Sequence, residues 1–181
     1  MAHEKRYSDD IDHLRNPERI QRLEVERVVD LCLEGIKPSN ILDIGVGSGL
    51  FAEAFARRGL AVAGIDASQE MVAVAREFVP QGDFRQAEAE SLPWADQSFD
   101  LVFMGLVLHE ADDPRRALQE ARRVARQRVC ILEWPYQEEE HGAPLAHRLA
   151  PQDLEKMFLR AGYAKRETIP LTHMVFYKLG V

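Results

Sequence analysis

Three glycines between an apolar run and a helix-like run form the first group of residues whose spacing suits chemistry. The stretch reads ILDIGVGSGLFAEAF over residues 41–55 and places Gly45, Gly47 and Gly49 between Ile44 and Leu50. Glycines at such a junction permit a tight turn and let the backbone approach a ligand closely. The loop therefore predicts a site for a nucleotide-like ligand.

Two carboxylates accompany these glycines. Asp43 precedes the first glycine by two residues within an apolar run, where a charge is costly unless it binds something. Asp66 ends the next apolar run, LAVAGIDAS, and is placed to accept both hydroxyls of a ribose. The glycines and Asp66 fit a dinucleotide as well as S-adenosylmethionine. However, Leu50 stands where the dinucleotide fingerprint G-x-G-x-x-G has its third glycine, and no triphosphate-binding G-x-x-x-x-G-K-[ST] pattern occurs.

The elements that must position these residues alternate between apolar strands and helices. The patterns predict strands over 41–45, 60–65, 84–87, 99–105 and 128–134, and helices over 50–58, 69–79, 115–126 and 152–161. A first helix is predicted from a cap at Asn16 to Gly35, and two strands with a turn near residues 170–172 follow the last helix. Such alternation implies a parallel sheet covered on both faces, with ligands bound at the carboxyl ends of its strands.

A longer motif narrows the choice of ligand. Residues 83–124, DFRQAEAESLPWADQSFDLVFMGLVLHEADDPRRALQEARRV, resemble the stretch after the ribose site in small class I S-adenosylmethionine-dependent methyltransferases of the type 11-like group. LDIGVGSG and GIDAS occur in the matching order, so the resemblance covers residues 38–134. It implies a Rossmann-like, doubly wound α/β fold: a mostly parallel seven-stranded sheet with an antiparallel edge strand and helices on both faces. It also implies S-adenosylmethionine as cofactor and methyl transfer by in-line displacement.

The resemblance assigns the first cofactor contacts to the glycine loop and its aspartates. Asp43 would face the methionine amino group, and Asp66 would take the ribose hydroxyls. The backbone passing under methionine and ribose would be that of Gly45, Val46, Gly47 and Gly49.

Further roles fall on segments after the later strands. Ala67 and Met71 would flank the adenine, and Gly105 and Leu106 would line the methyl end. Glu88 stands where the family usually has aspartate and would accept from the adenine amino group. The Ala89 amide would reach a ring nitrogen of the adenine.

His109 is the candidate catalytic residue, because it is the titratable group predicted just past the 99–105 strand, near the methyl. Two roles are left open for His109: a general base, or a hydrogen-bonded structural residue. Glu133 either binds substrate or caps a loop. The acidic run before His141 is interpreted as solvated charge, and no metal site is predicted.

Composition limits the partners and the compartment. The 181 residues carry a formal net charge of −7, which argues against nucleic acid as the main partner. The amino terminus is polar where a signal peptide would be apolar, and no apolar run is long enough to span a bilayer. Cys32 and Cys130 lie in apolar patterns and are predicted to be buried, reduced thiols. We therefore expect a cytoplasmic protein that does not bind membranes and acts on a small molecule; the oligomeric state stays open.

The organisation expected is an amino-terminal lid segment and helix, residues 1–35, before a single methyltransferase core, residues 36–181. Residues 1–16 are proposed to order over cofactor and acceptor and to exclude water. Two other functions fit parts of the pattern. One is a non-catalytic protein that binds S-adenosylmethionine or S-adenosylhomocysteine, and the other is a NAD(P)-dependent oxidoreductase.

Overall fold

The computed structural model describes residues 11–181 as seven helices, seven strands and a short 3₁₀ turn. The helices are α1 (Ile11–Leu14), α2 (Pro17–Arg22), α3 (Val25–Leu33), α4 (Leu50–Arg57), α5 (Gln69–Phe78), α6 (Pro114–Val124) and α7 (Pro151–Arg160). The strands are β1 (Asn40–Ile44), β2 (Ala61–Asp66), β3 (Asp83–Gln86), β4 (Phe99–Gly105), β5 (Ala125–Glu133), β6 (Lys165–Pro170) and β7 (Val175–Gly180). The 3₁₀ turn covers Leu145–His147.

The seven strands form one sheet in the order β3-β2-β1-β4-β5-β7-β6. Strands β1 to β5 pair in parallel, and β7 runs antiparallel to both β5 and β6. The predicted mostly parallel seven-stranded fold with antiparallel pairing at its edge is confirmed, and β7 lies second from that edge. Strand order reverses between β1 and β4, and sheets of this kind bind ligands beside such a reversal.

Helices cover both faces of the sheet, as predicted. Successive strand residues point to opposite faces, so each strand contributes side chains to a core on either side. On one face, Phe55 of α4 and Val28 of α3 pack in the same cluster as Phe103 of β4. On the other face, Leu118 of α6 and Phe158 of α7 belong to the second cluster. Both cysteines are buried on the first face, Cys32 on α3 and Cys130 on β5.

The first predicted helix is broken into α2 and α3, which corrects the expectation of one continuous helix. Glu24 adopts a left-handed backbone with φ of 48°, between the two helices. Its carboxylate accepts a hydrogen bond from the Thr172 amide at 2.7 Å and pairs with Arg27. A contact with the far end of the chain thus accompanies a conformation that helical periodicity does not predict. At another boundary, α6 ends at Val124 because Ala125 already pairs with Phe99 as the start of β5.

The amino-terminal lid falls mostly outside the described residues, since residues 1–10 are not among them. Within residues 11–181, no helix has the length and apolar character needed to cross a membrane.

Candidate functional site

A cavity of about 990 Å³ opens at the carboxyl ends of β1, β2, β4 and β5, where strand order reverses. Ten of the thirteen predicted site residues line it: Gly45, Gly47, Asp66, Ala67, Met71, Glu88, Ala89, Gly105, Leu106 and His109. Asp43 and Val46 instead line a smaller adjoining pocket of about 70 Å³, and Gly49 lines neither. The fold therefore brings together residues that the sequence places on four separate segments, those after β1, β2, β3 and β4.

The three glycines of the loop have positive φ values for different purposes. A side chain at Gly45 (φ +71°) would lie 2.5 Å from Val107, so the loop packs closely against the segment after β4. A Cβ at Gly49 (φ +75°) would lie 3.1 Å from the Ala75 backbone, so Gly49 permits the close packing of α5. A Cβ at Gly47 (φ +49°) would meet no atom within 4 Å, because this residue faces the cavity.

Asp66 connects the glycine loop to the start of α5. One carboxylate oxygen accepts the Gly47 amide at 2.9 Å, and the other accepts the Ser68 amide at 2.9 Å. Ser68 in turn caps α5 through the Met71 amide. These bonds hold the Asp66 carboxylate at the cavity wall, where a ribose acceptor was predicted.

Asp43 lies beneath the glycine loop and is 3% exposed. Burial raises the pKa of its carboxyl well above the ordinary value, and the neighbouring Asp66 carboxylate raises it further. The Ala52 amide, in the first turn of α4, donates a hydrogen bond that opposes this rise. Above this carboxyl, Val46 points its side chain into the core while its amide donates to the Ile65 carbonyl at 2.8 Å.

The wall predicted for adenine is formed by the ends of β2 and β3. Ala67, Met71 and Ala89 supply apolar surface to the cavity, and Glu88 supplies a carboxylate. The Gln86 side-chain amide donates to the Ala67 carbonyl at 2.9 Å, which fastens the two strand ends together.

The end predicted for the methyl group has a strained backbone. Leu106, directly after β4, adopts a φ of 60°, an uncommon conformation for a residue with a side chain. Its amide donates to the Leu132 carbonyl at 2.8 Å, so the neighbouring strand holds this geometry. Such strained residues cluster at functional sites.

His109 and Glu133 form a buried pair, 5% and 2% exposed. Glu133 Oε2 lies 2.8 Å from His109 Nδ1, and Glu133 Oε1 accepts the His109 backbone amide at 3.1 Å. Burial lowers the pKa of His109, but attraction and hydrogen bonding from Glu133, helped by Glu110, raise it above the ordinary value. The sequence left open whether Glu133 binds substrate or caps a loop. In the structure, its carboxylate contacts the imidazole of His109.

Comparisons with known proteins bear on the fold and the family. A family model described as a methyltransferase domain matches residues 42–131. A solved S-adenosylmethionine-dependent methyltransferase from Aquifex aeolicus is similar in fold, with a TM-score of 0.85, 23% identity, and coverage of 96% of this chain and 100% of that one. The chain belongs to the class I S-adenosylmethionine-dependent methyltransferases.

Two curated relatives of this methyltransferase share more sequence but are longer. A demethylmenaquinone methyltransferase from Thermotoga maritima is 36% identical over 112 residues, which are 60% of this chain and 48% of the relative. A ubiquinone biosynthesis O-methyltransferase from Alkalilimnicola ehrlichii is 38% identical over 100 residues, 52% of this chain and 40% of the relative. The methyltransferase thus spans half or less of the length of these relatives.

Arg148 holds a loop that lines the methyltransferase's cavity, and sequence reasoning missed it. It is 5% exposed, and its guanidinium donates to four carbonyls, those of Ala143, Pro135, Gln137 and His141, at 2.7–3.0 Å. These carbonyls belong to residues 134–147, which we call the roof loop because residues 134, 140–144 and 147 line the cavity. Backbone acceptors leave no pattern in a sequence, so no signal pointed to this arginine.

The segment before α2 of the methyltransferase also reaches the site. His13 and Leu14 line the cavity. Arg15 donates to the Ser48 carbonyl of the glycine loop at 2.8 Å and pairs with Glu53 of α4. The end of the predicted lid is therefore fastened to the loop predicted to carry the cofactor.

Proposed function

We propose that this protein transfers a methyl group from S-adenosylmethionine to a small molecule bound in the same cavity. The observation that carries the proposal is the bond from the Gly47 amide to Asp66 above the buried Asp43. This part of the site has an open backbone face at Gly47, a carboxylate suited to ribose hydroxyls at Asp66, and a second, poorly solvated carboxyl group at Asp43. This set is complementary to the sugar and the cationic amino group of S-adenosylmethionine.

Three further charged residues that line the cavity suit the other ends of the cofactor. Glu88 lies on the wall proposed for adenine. Its carboxylate can accept a hydrogen bond from the exocyclic amino group of the adenine. Arg19 and Arg22 of α2 line the cavity too, and Arg19 also borders the small pocket beside Gly45. These cations are the groups we assign to the methionine carboxylate.

When bound, the cofactor supplies an electrophilic methyl group on a good sulfonium leaving group, so the hard chemistry is its own. The protein holds the acceptor in line and keeps water away. The fixed backbone of Gly105 and Leu106 borders the methyl end, and the roof loop held by Arg148 covers the other side.

Three observations support a small acceptor. The cavity lies at the upper end of the roughly 300–1,000 Å³ typical of small-molecule sites, which leaves room beside a cofactor for a compact molecule. The net charge of −7 disfavours nucleic acid. The two relatives described above are named for the methylation of demethylmenaquinone and for an O-methylation in ubiquinone biosynthesis. Buried unpaired thiols at Cys32 and Cys130 are consistent with a reducing compartment, and we propose the cytoplasm.

Calorimetric titration with S-adenosylmethionine, S-adenosylhomocysteine and NADH tests the cofactor. We expect binding of the first two only; binding of NADH alone would support the oxidoreductase reading instead. Incubation with metabolite fractions and a labelled methyl donor then tests transfer. Cofactor binding with no acceptor labelled in any fraction would favour a non-catalytic binding protein.

A single substitution tests the assigned ribose site. Asp66→Ala should weaken S-adenosylhomocysteine binding by roughly 1.5–3 kcal/mol, because hydrogen bonds to a charged acceptor are lost. Asp96→Ala is the control, since Asp96 is a surface carboxylate, 77% exposed, that pairs with Arg123. Equal affinity in both variants would place the cofactor elsewhere.

A further inference from the structure

The contacts of Glu133 determine which nitrogen of His109 is basic. Both carboxylate oxygens accept backbone amides, Oε1 from His109 at 3.1 Å and Oε2 from Trp134 at 3.3 Å. The carboxylate is thereby fixed 2.8 Å from His109 Nδ1. An ionised carboxylate only accepts, so Nδ1 carries the proton and the lone pair of the neutral ring lies on Nε2.

Because Glu133 occupies Nδ1, Nε2 is the ring nitrogen left for a molecule bound in the cavity that His109 lines. His109 lines the cavity three residues beyond Leu106, and its Nε2 lies 3.8 Å from Glu110, which is another cavity residue. Register brings the pair together, because Gly105 of β4 lies beside Leu132 of β5. His109 and Glu133 therefore meet where the two parallel strands end, beside the proposed methyl end.

We propose that His109 is a general base positioned by Glu133, and that the methyl acceptor is a phenolic or enolic hydroxyl. The inference rests on the proposed function. An imidazole suits such hydroxyls, whose pKa lies near that of tyrosine, about 10, whereas aliphatic alcohols are far weaker acids. Trp134, Leu106 and Pro144 give this part of the cavity apolar surface suited to a planar ring.

The step balances within the protein, acceptor and cofactor. His109 Nε2 takes the hydroxyl proton, and an electron pair of that oxygen forms the new bond to the methyl carbon. The sulfur–carbon bond breaks and leaves its electron pair on a neutral thioether. The imidazolium that results is stabilised by the Glu133 carboxylate, as the geometry at Nδ1 allows.

Charges from each neighbouring element set the pH dependence. Burial lowers the pKa of His109, Glu133 and Glu110 raise it, and the Arg148 guanidinium lowers it slightly, with a net rise. Tyr177 of β7 stays neutral, because burial raises its pKa to about 12. The base form of His109 thus accumulates only above a raised pKa, so turnover should increase with pH through that value. Removing the Glu133 charge should move the increase to lower pH.

The test compares wild type with Glu133→Gln and Asp153→Asn, the second removing a surface carboxylate paired with Lys156. NMR titration of the His109 ring should give a wild-type midpoint above about 6.5 and a Glu133→Gln midpoint lower by about one pH unit. Turnover of catechol, the probe acceptor, should fall roughly 10²-fold in Glu133→Gln. Asp153→Asn should match wild type in both measurements, and all three should bind S-adenosylhomocysteine equally.

Two results would overturn the inference while leaving the proposed function intact. One is a wild-type midpoint at or below the ordinary value of about 6.5, which needs no variant to fold. The other is wild-type turnover and midpoint in Glu133→Gln. If the wild-type protein did not bind S-adenosylhomocysteine, the proposed function itself would be wrong.

Discussion

At the scale of single residues, Asp43 shows how a binding site costs stability. The carboxyl is 3% exposed and lies near Asp66, so its ionised form is poorly solvated and repelled. Its pKa is raised, which means that the folded chain holds this proton more tightly than the unfolded chain does. Stability must therefore fall as pH rises from the unfolded value, near 3.9, through the folded one.

Asp43→Asn should stabilise the protein without cofactor at neutral pH by about 1 kcal/mol, or roughly 2–4 °C in the melting temperature. The gain should vanish only below about pH 3, where Asp43 is protonated in both states. S-adenosylhomocysteine should bind more weakly because its amino group loses an anion. Melting curves from about pH 3 to 8 and calorimetry check both effects.

Asp100→Asn provides a control of opposite sign. The Ser39 amide and hydroxyl, with Arg126, hold the pKa of Asp100 well below its usual range. The stability that these contacts give through the ionised carboxylate is present above about pH 4 and is lost as pH falls. Asp100→Asn should therefore destabilise the protein at neutral pH. If both variants shifted stability in the same direction, our account of Asp43 would be wrong.

Gly47 and Gly59 separate backbone strain from ligand contact. Both have positive φ, 49° and 85°, and a Cβ at either would meet no atom within 4 Å, but only Gly47 lines the cavity. Alanine at each position should cost about 1 kcal/mol of stability through the left-handed conformation. Only Gly47→Ala should also weaken S-adenosylhomocysteine binding, because its methyl group projects into the proposed cofactor space. Parallel denaturation and calorimetry of the two variants measure the difference, and equal affinities would contradict it.

At the scale of elements, the sequence predicts what depends on neighbours along the chain. Strand periodicity, the Ser68 cap and the prolines that open α6 and α7 are local signals, and the corresponding elements form. The break at Glu24 could not be predicted, because its partner Thr172 lies 148 residues away. The left-handed Leu106 likewise depends on Leu132, in the neighbouring strand.

The roof loop is an element held by one side chain, that of Arg148, which directly follows it in the sequence. Arg148→Lys keeps the charge but cannot donate to four carbonyls, since an ammonium has three donors and no planar fork. We expect a loss of roughly 1–3 kcal/mol of stability and faster amide exchange confined to residues 134–147. Acceptor KM should rise while S-adenosylhomocysteine affinity changes little.

Arg166→Lys is the matched control for the roof loop. Its guanidinium also donates to carbonyls, those of Tyr163 and Ala164, but lies outside the cavity lining. Hydrogen-exchange mass spectrometry of both variants makes the comparison. Unchanged exchange of the roof loop in Arg148→Lys would show that other contacts hold it.

At the scale of the whole molecule, the site exists because parallel strands end at one edge of the sheet. This rule made most of the cavity lining predictable from residues that follow strands. The rule did not predict the contact between His109 and Glu133, because each residue was assigned a role separately. Their contact depends on the register of β4 against β5. Arg15 was likewise placed in a lid but without its partners on the glycine loop and α4.

The predicted lid concerns the whole molecule, since it joins the amino terminus to the sheet edge. Residues 1–10 lie outside the described range, but Leu14 lines the cavity and Arg15 bonds to Ser48 and Glu53. We predict that a chain beginning at Asn16 folds and binds S-adenosylhomocysteine more weakly. Its turnover should fall roughly 10²-fold or more, because water reaches the reacting groups.

Arg15→Ala tests the fastening point within the full chain, with Lys156→Ala as a control that breaks an exposed pair with Asp153. Stopped-flow binding of S-adenosylhomocysteine should show faster release from Arg15→Ala than from the control, because the segment no longer holds the glycine loop. Turnover should fall in the same variant. If the shortened chain kept full turnover, water would be excluded without this segment, and the acceptor site would be bounded by residues 105–110 and the roof loop alone.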